Sequence, residues 1–270
     1  AVDRDDAEEL RRLHSFQQSL GLDVRWLGGR ECRRLEPRLS PRVPGGILSP
    51  QDHQVEPRAV VRALEEALVG AGGELRTGVE VEHVAASGVR AAGGEEFRAS
   101  HVVVAAGCWS GALGDAAPAV RPVKGQILRL RGHTADPLAG RLVRTPRCYV
   151  VTRPGGEVVV GATVEERGFD TSVTADGVYR LLEAAREVLP DVAELQFVEA
   201  AARLRPGTPD NAPAIGEHGG IVWATGHHRN GVLLAPITAL AVADLLSGGH
   251  APAAVRPFAP GRFAAARAAV

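Results

Sequence analysis

GIVWATGHHRNGVLLAP, residues 220 to 236, decides the fold. Ile221 to Thr225 form a short apolar run between Gly220 and Gly226, the signature of a buried strand. Gly226 ends it. Two histidines, an arginine and an asparagine follow, and after Gly231 the chain stays apolar to residue 246, long enough for a helix and too long for a strand. Strand, glycine, polar loop and helix is the grammar of an open α/β sheet, which binds its ligands at the carboxyl ends of strands. The apolar run predicts a helix from about 233 to 246. Pro236 fits that helix in its first turn and fits badly further in.

Working outward, HVVVAAGCWSG repeats the grammar: a buried strand over 101–106 runs into Ala105, Ala106 and Gly107, with a helix expected to about 113. Gly107 has two readings. It lets a flat or phosphorylated ligand approach the backbone, or it serves a tight turn. Between these units, PVKGQILRLRG and CYVVTRPGGEVVVGATV alternate and turn at Pro154-Gly155-Gly156, as a hairpin in an antiparallel sheet does. GVEVEHVAAS and GVRAA predict a small meander leading into the 101–106 strand. Helices are expected from Asp3 to Leu20 with Gly21 as the stop, from Pro57 to the glycines at 70, 72 and 73, and from Thr174 to Leu189 before Pro190. Prolines 37, 41, 44 and 50 with Gly45 and Gly46 make 36–57 a loop-rich passage. Two interleaved domains account for the mixture: a doubly wound parallel sheet and an antiparallel sheet, a mixed α/β class.

The 270 residues suffice for two modest cores. A net charge of −1 gives no electrostatic case for nucleic acid or anionic membrane. No apolar run reaches the length of a membrane span, and the acidic start AVDRDDAEEL is unlike a signal peptide. Cys32, Cys108 and Cys148 fall at no metal-ligand spacing and read as reduced thiols of a cytoplasmic protein. There is no methionine, so the chain reads as a fragment, a processed product or a trimmed piece.

Three groups of residues could carry chemistry. Asn230 and Gly231 precede a helix whose first free N–H groups and positive dipole end face an electron-rich group. His227 and His228 read as cap residues, with nothing nearby to complete a metal site. In ARLRPGTPDNAPAIG, Arg203 and Arg205 adjoin a turn. An arginine there suits a substrate carboxylate, because its planar fork makes two parallel bonds; an ion pair with Asp210 is the simpler reading by pattern alone.

Taken together, DHQVEPRAVVRAL, VVVAAGCWSG, RPVKGQILRL, YVVTRPGGEVVVGATV, LRPGTPDNAPAIG and GHHRNGVLLAPITA resemble, in order and spacing, the glycine oxidases of thiamine biosynthesis, within the D-amino-acid oxidase and sarcosine oxidase group of flavoenzymes. The likeness runs from about residue 1 to 265, and its last two motifs are the most specific. It implies FAD, oxidation of glycine, sarcosine or small D-amino acids by hydride transfer to flavin, and O2 as the acceptor that becomes hydrogen peroxide. It also implies that Arg205 clamps the substrate carboxylate, Tyr149 adds a hydroxyl bond and Arg229 lies beside substrate and flavin. Val81 would meet the adenine. Ala105, Ala106, Gly107 and Trp109 would line the flavin, and Gly226, His227, His228, Arg229, Asn230, Gly231, Val232 and Leu233 would wrap its pyrimidine end. The domains implied are substrate-binding over 1–50 and 116–203, and FAD-binding over 51–115 and 204–270. Homo-oligomerisation is left open.

The sequence departs from the family in two places. Ala201 and Arg203 stand where relatives carry an aromatic residue and a glycine, so Arg203 is expected to crowd the cofactor. The G-x-G-x-x-G turn that binds the FAD pyrophosphate is not found; GAGGEL at 70–75 ends in Leu75 and follows a helix. By resemblance the chain starts inside the substrate domain, roughly a hundred residues into its relatives, the scale of a mononucleotide-binding half. The strands at 101–106 and 221–225 are then expected to have apolar faces without neighbours. Alternatives within this reading are a D-amino-acid or sarcosine dehydrogenase with another electron acceptor, and a non-catalytic remnant or subunit.

Overall fold

The computed structural model describes residues 1–263; the alanine-rich C-terminal end of the sequence lies outside the described residues. In chain order the elements are α1 (Arg4–Ser19), β1 (Arg25–Gly28), α2 (Gly29–Leu35), β2 (Gly45–Leu48), α3 (Pro57–Gly70), β3 (Val81–Ala85), β4 (Gly88–Ala91), β5 (Glu96–Arg98) and β6 (Val103–Val104). Then follow β7 (Arg121–Arg131), β8 (Val143–Arg144), β9 (Tyr149–Thr152), β10 (Glu157–Gly161), α4 (Ala175–Val188), β11 (Gln196–Gly207), β12 (Ala214–His218), β13 (Ile221–Thr225) and α5 (Gly231–Leu246). The chain divides into two compact units. The first holds 1–55, 125–164 and 171–203, and the second holds 56–124, 165–170 and 204–270.

In the first unit, a sheet ordered β11-β7-β10-β9-β8 carries the core. Val158↔Thr152 and Val160↔Val150 set the β9–β10 register, around the turn predicted at Pro154 to Gly156. Leu128, Val150 and Val160 are fully buried against Leu181, Ala185 and Leu189 of α4 and the turn after it. Thr174 caps α4, its side chain accepting from the Gly177 N–H. Buried Gln126 adds to this cap, its Oε1 accepting from the Thr174 N–H at 2.9 Å and its Nε2 donating to Thr174 Oγ1 at 3.0 Å. A Cβ at Gly177 would lie 2.4 Å from Gln126 Nε2, so glycine is what admits the amide there. The proline-rich passage 36–57 is not all loop: Gly45–Leu48 pairs antiparallel with Arg25–Gly28, and the short helix α2 lies between them.

In the second unit, β3, β4 and β5 form the predicted antiparallel meander, as a sheet of their own. A separate sheet is ordered β12-β13-β6, with β13 and β6 parallel through Val222↔Val103 and Trp223↔Val104. Two expectations need correction. The strand foreseen over 101–106 is only two residues long and leads into a 3-10 turn over Gly107–Ala112, because GCWSGA offers glycines and no apolar stripe to sustain an α-helix. The strands' apolar side chains are largely covered: Val102, Val104, Ile221 and Trp223 are buried with Val84 and Ala117, while Val103 stays 39% exposed. Much exposed apolar surface lies on two helices. α3 buries no residue and exposes Val60, Val61, Leu64, Leu68 and Val69, while α5 exposes Val232, Leu233 and Leu240.

All three cysteines are free and buried. No helix among the described residues is long and apolar enough to cross a membrane, and no group of metal-ligating side chains is found among them.

Candidate active site

The two glycine turns foreseen separately meet in the second unit. Thr225, at the end of β13, is almost fully buried; its hydroxyl donates to the Gly107 carbonyl at 2.9 Å and accepts from Ser110 at 3.0 Å. Gly107 and Gly226 both have positive φ, +55° and +75°. A Cβ at Gly226 would strike Thr208 Cγ2 at 2.5 Å, whereas one at Gly107 would meet nothing, so the first glycine is required by packing and the second faces open space.

A third loop, after β11, closes on this pair. The His228 N–H donates to the Pro206 carbonyl at 2.8 Å, with His228 in the left-handed region at φ +48°. That bond ties the LRPG turn to the polar loop. Arg205 is half-buried, and its Nη1 donates to the Lys124 carbonyl at 3.4 Å. Asp210 does not pair with Arg203 or Arg205. Its partner is Arg262, at 3.1 Å, and that guanidinium, with the Ala212 N–H and the Thr208 hydroxyl, holds the Asp210 carboxyl down at about 2. Arg203 is exposed in the first unit and donates to its neighbour's carbonyl, that of Ala202, at 2.8 Å.

The two histidines differ. The His227 ring bonds the Thr238 hydroxyl at 2.9 Å, and burial lowers its pKa. His228 is lowered by burial first and then by the charges of Arg205, Arg229 and Arg121, with Glu166 opposing. Both shifts favour the neutral ring.

Helix α5 starts at Gly231, so Pro236 falls beyond the first turn, inside the helix. The expected first-turn placement is therefore wrong. Having no N–H, Pro236 cannot donate its share of the ladder and leaves the Val232 carbonyl without the usual helical donor. No side chain caps the helix start, and Val232 and Leu233 of the first turn are 56% and 77% exposed. Free N–H groups beside exposed apolar side chains and a bare strand-end glycine suit a flat ring with a polar edge. This is the shape of an isoalloxazine, and the residues present fit it.

Most of the residues foreseen from sequence are thus gathered in the second unit: Ala105, Ala106, Gly107, Trp109, Arg205, and the run from Gly226 to Leu233. Val81 opens β3, paired with Ala91, and packs with Ala106 on the same buried cluster. Tyr149 lies in β9 of the first unit, directly opposite Gly161, whose Cβ, if present, would lie 2.3 Å from the phenol oxygen.

Several participants escaped the sequence reading. Lys124 is fully buried, and its ammonium donates to Asp170 at 2.7 Å. The Arg121 guanidinium spans Glu166 at 3.1 Å and Asn211 at 3.4 Å. Trp109 stacks on Phe169 with ring centroids 6.0 Å apart. The only sequence signal for these is a cluster of charges and one aromatic residue in EERGFD.

Comparison with known proteins agrees with this geometry. A family profile described as FAD dependent oxidoreductase matches residues 1–245. The glycine oxidase of Geobacillus kaustophilus is 34% identical over 96% of this chain and 71% of its own length. Hydrogen cyanide synthase subunit HcnC of Pseudomonas aeruginosa is 34% identical over all of this chain and 67% of its own. The crystal structure of the Geobacillus kaustophilus glycine oxidase superposes with a TM-score of 0.90, covering 97% of this chain and 73% of that one. A paired strand-end site that suits a flat ring, on a fold shared with a solved glycine oxidase and under a profile spanning nine-tenths of the sequence, places the chain in one group: it belongs to the family of FAD-dependent oxidoreductases.

Proposed function

We propose that this chain takes part in the FAD-dependent oxidation of glycine, sarcosine or a small D-amino acid, as a glycine oxidase of the type found in thiamine biosynthesis, acting in the cytoplasm. The observation that carries the reading is the 2.8 Å bond from the His228 N–H to the Pro206 carbonyl, which holds the Arg205 turn against the uncapped start of α5. It supports reading Arg205 as a carboxylate-binding guanidinium beside a place suited to a flat ring.

In this reading Arg205 fixes the substrate carboxylate by a forked, charge-assisted pair. Tyr149 adds a hydroxyl bond to the same substrate, and Arg229 contributes positive charge beside it. Ala105 to Gly107, Trp109 and the run from Gly226 to Leu233 would hold the flavin, the free N–H groups of Gly231 to Leu233 would serve an electron-rich group on it, and Val81 would meet the adenine. A bound FAD would supply the two-electron acceptor for hydride from the substrate α-carbon, with O2 as the final acceptor reduced to hydrogen peroxide. The resulting imine is hydrolysed to a 2-oxo acid and ammonia, or methylamine from sarcosine. The protein's share is orientation: holding the carboxylate fixes the α-carbon, and no side chain need act as nucleophile.

The domain roles follow the same reading, with the antiparallel sheet of the first unit for substrate and the strand-end turns of the second for FAD. The test is flavin absorbance in the purified protein with peroxide release from glycine or sarcosine; flavin-loaded protein that releases none from either defeats the proposal. A second reading rests on the equal identity to HcnC, a subunit by its name. Under it the chain works with a partner and passes electrons elsewhere, and anaerobic turnover with a dye but none with O2 would favour it.

A further inference from the structure

Outside the residues already assigned, one group of contacts in the second unit has no structural explanation by itself. Lys124 is fully buried, and burying an ammonium is costly unless a partner balances it. The Asp170 carboxylate is that partner, 2.7 Å away, while itself 44% exposed. The same lysine is bonded to the Glu165–Asp170 segment by its backbone in both directions: its N–H donates to the Glu165 carbonyl at 2.9 Å, and its carbonyl accepts from the Glu165 N–H at 3.0 Å. That carbonyl also accepts from Arg205 at 3.4 Å, so two donors share one oxygen. At the far end of the segment, Phe169 stacks on Trp109 beside the Gly107 turn.

We infer that the Lys124–Asp170 pair is a latch, which fastens segment 165–170 to β7 and thereby fixes the carbonyl that positions Arg205 for a carboxylate. Lys124 and Asp170 are positioning residues that act through Arg205. The direction follows from the connectivity. Without the Asp170 charge the segment keeps its backbone bridge, the Arg121–Glu166 pair and the Phe169–Trp109 contact but loses the charge-assisted bond next to that bridge, so the Lys124 carbonyl is held less firmly and the setting of the arginine fork loosens. The inference rests on the carboxylate-binding role of Arg205.

The test compares the unaltered protein, flavin-loaded, with Asp170→Asn and with Lys124→Met/Asp170→Asn. The double variant removes the uncompensated buried charge and so protects against simple failure to fold. Two quantities are read: hydrogen exchange of the 165–170 amides, and the Kd of glycolate by calorimetry. Both variants are expected to exchange about tenfold faster over 165–170 and to bind glycolate about tenfold more weakly at unchanged flavin content. Unchanged glycolate affinity in either folded variant overturns the inference, as does unchanged exchange. Peroxide release from glycine by the unaltered protein is measured alongside. Its absence with glycolate still bound removes the substrate reading alone, and the variants still decide the latch.

Discussion

The two units spend their apolar residues differently. In the first, α4 is amphipathic and buries Gly177, Leu181, Ala184, Ala185 and Val188 against its own sheet. In the second, α5 is more apolar than α4 yet buries only Thr238 and Ala241, and α3 buries nothing. The apolar stripe of α4 finds its partner inside its own unit, whereas the stripe of α3 does not, and α5, apolar on all sides, is a helix built to be covered. Among the described residues of the second unit that cover is incomplete. The bare surface includes the first turn of α5, where the proposed flavin contacts lie. The lesson is that apolar composition predicts burial as a need and periodicity tells which face carries it, while neither tells whether the partner lies in the same unit.

This contrast can be broken or sharpened, beginning with the site. Arg205→Ala in flavin-loaded protein should weaken substrate binding by about 2–5 kcal/mol, read as a steep rise in KM for glycine with flavin retained; unaltered kinetics would remove Arg205 from its role. In the first unit, Leu128→Ala should cost about 3 kcal/mol in urea unfolding, the toll of a cavity in a sheet that cannot collapse. Gly161→Ala forces a methyl into the Tyr149 ring and should raise the KM for glycine about tenfold, an indirect measure of the phenol's contribution. A normal KM there, with the fold intact, counts against Tyr149.

Smaller effects belong to the second unit. The Asp210 carboxyl has its pKa lowered from 3.8 to about 2, so its stabilising contribution is present above 3.8 and is lost as pH falls through 2. Because the carboxylate is 48% exposed, solvent screening reduces that contribution to about 1 kcal/mol. Asp210→Asn should therefore lower stability at pH 7 by this amount and flatten the acid limb of the pH profile. Least of all, Leu233→Ser should shift urea stability by no more than about 0.5 kcal/mol, since the side chain is 77% exposed. A loss near that of Leu128→Ala would show that α5 is covered in solution and would erase the contrast.

What the sequence made legible was local. Thr174 before an apolar stripe, Pro57 at a helix start and Pro-Gly-Gly between alternating valines each act within a few residues, and each appears where expected. The strand-end grammar of 220–236 was also readable, because a buried run, a glycine and a helix leave marks in order. Strand β11 was only partly legible, since QFVEAAARLRPG has neither clean alternation nor a continuous apolar run. The proline-rich passage hid β1 pairing with β2, whose ladder depends on residues some twenty positions apart rather than on propensity. Least visible were the charges. A lysine in a strand reads as solvent-facing, and Lys124 is buried only because Asp170, 46 residues on, is there to meet it. Likewise Asp210 finds Arg262 at 52 residues and not the arginines beside it.

The three sealed thiols carry a practical consequence. Burial pushes Cys32, Cys108 and Cys148 upward from the ordinary thiol value, which suppresses the reactive thiolate. Alkylation therefore waits for opening. Cys32 and Cys148 sit in the first unit and Cys108 in the second, so mass spectrometry of pulse-alkylated peptides makes them built-in clocks that time the loosening of each half separately, with no label added to the chain.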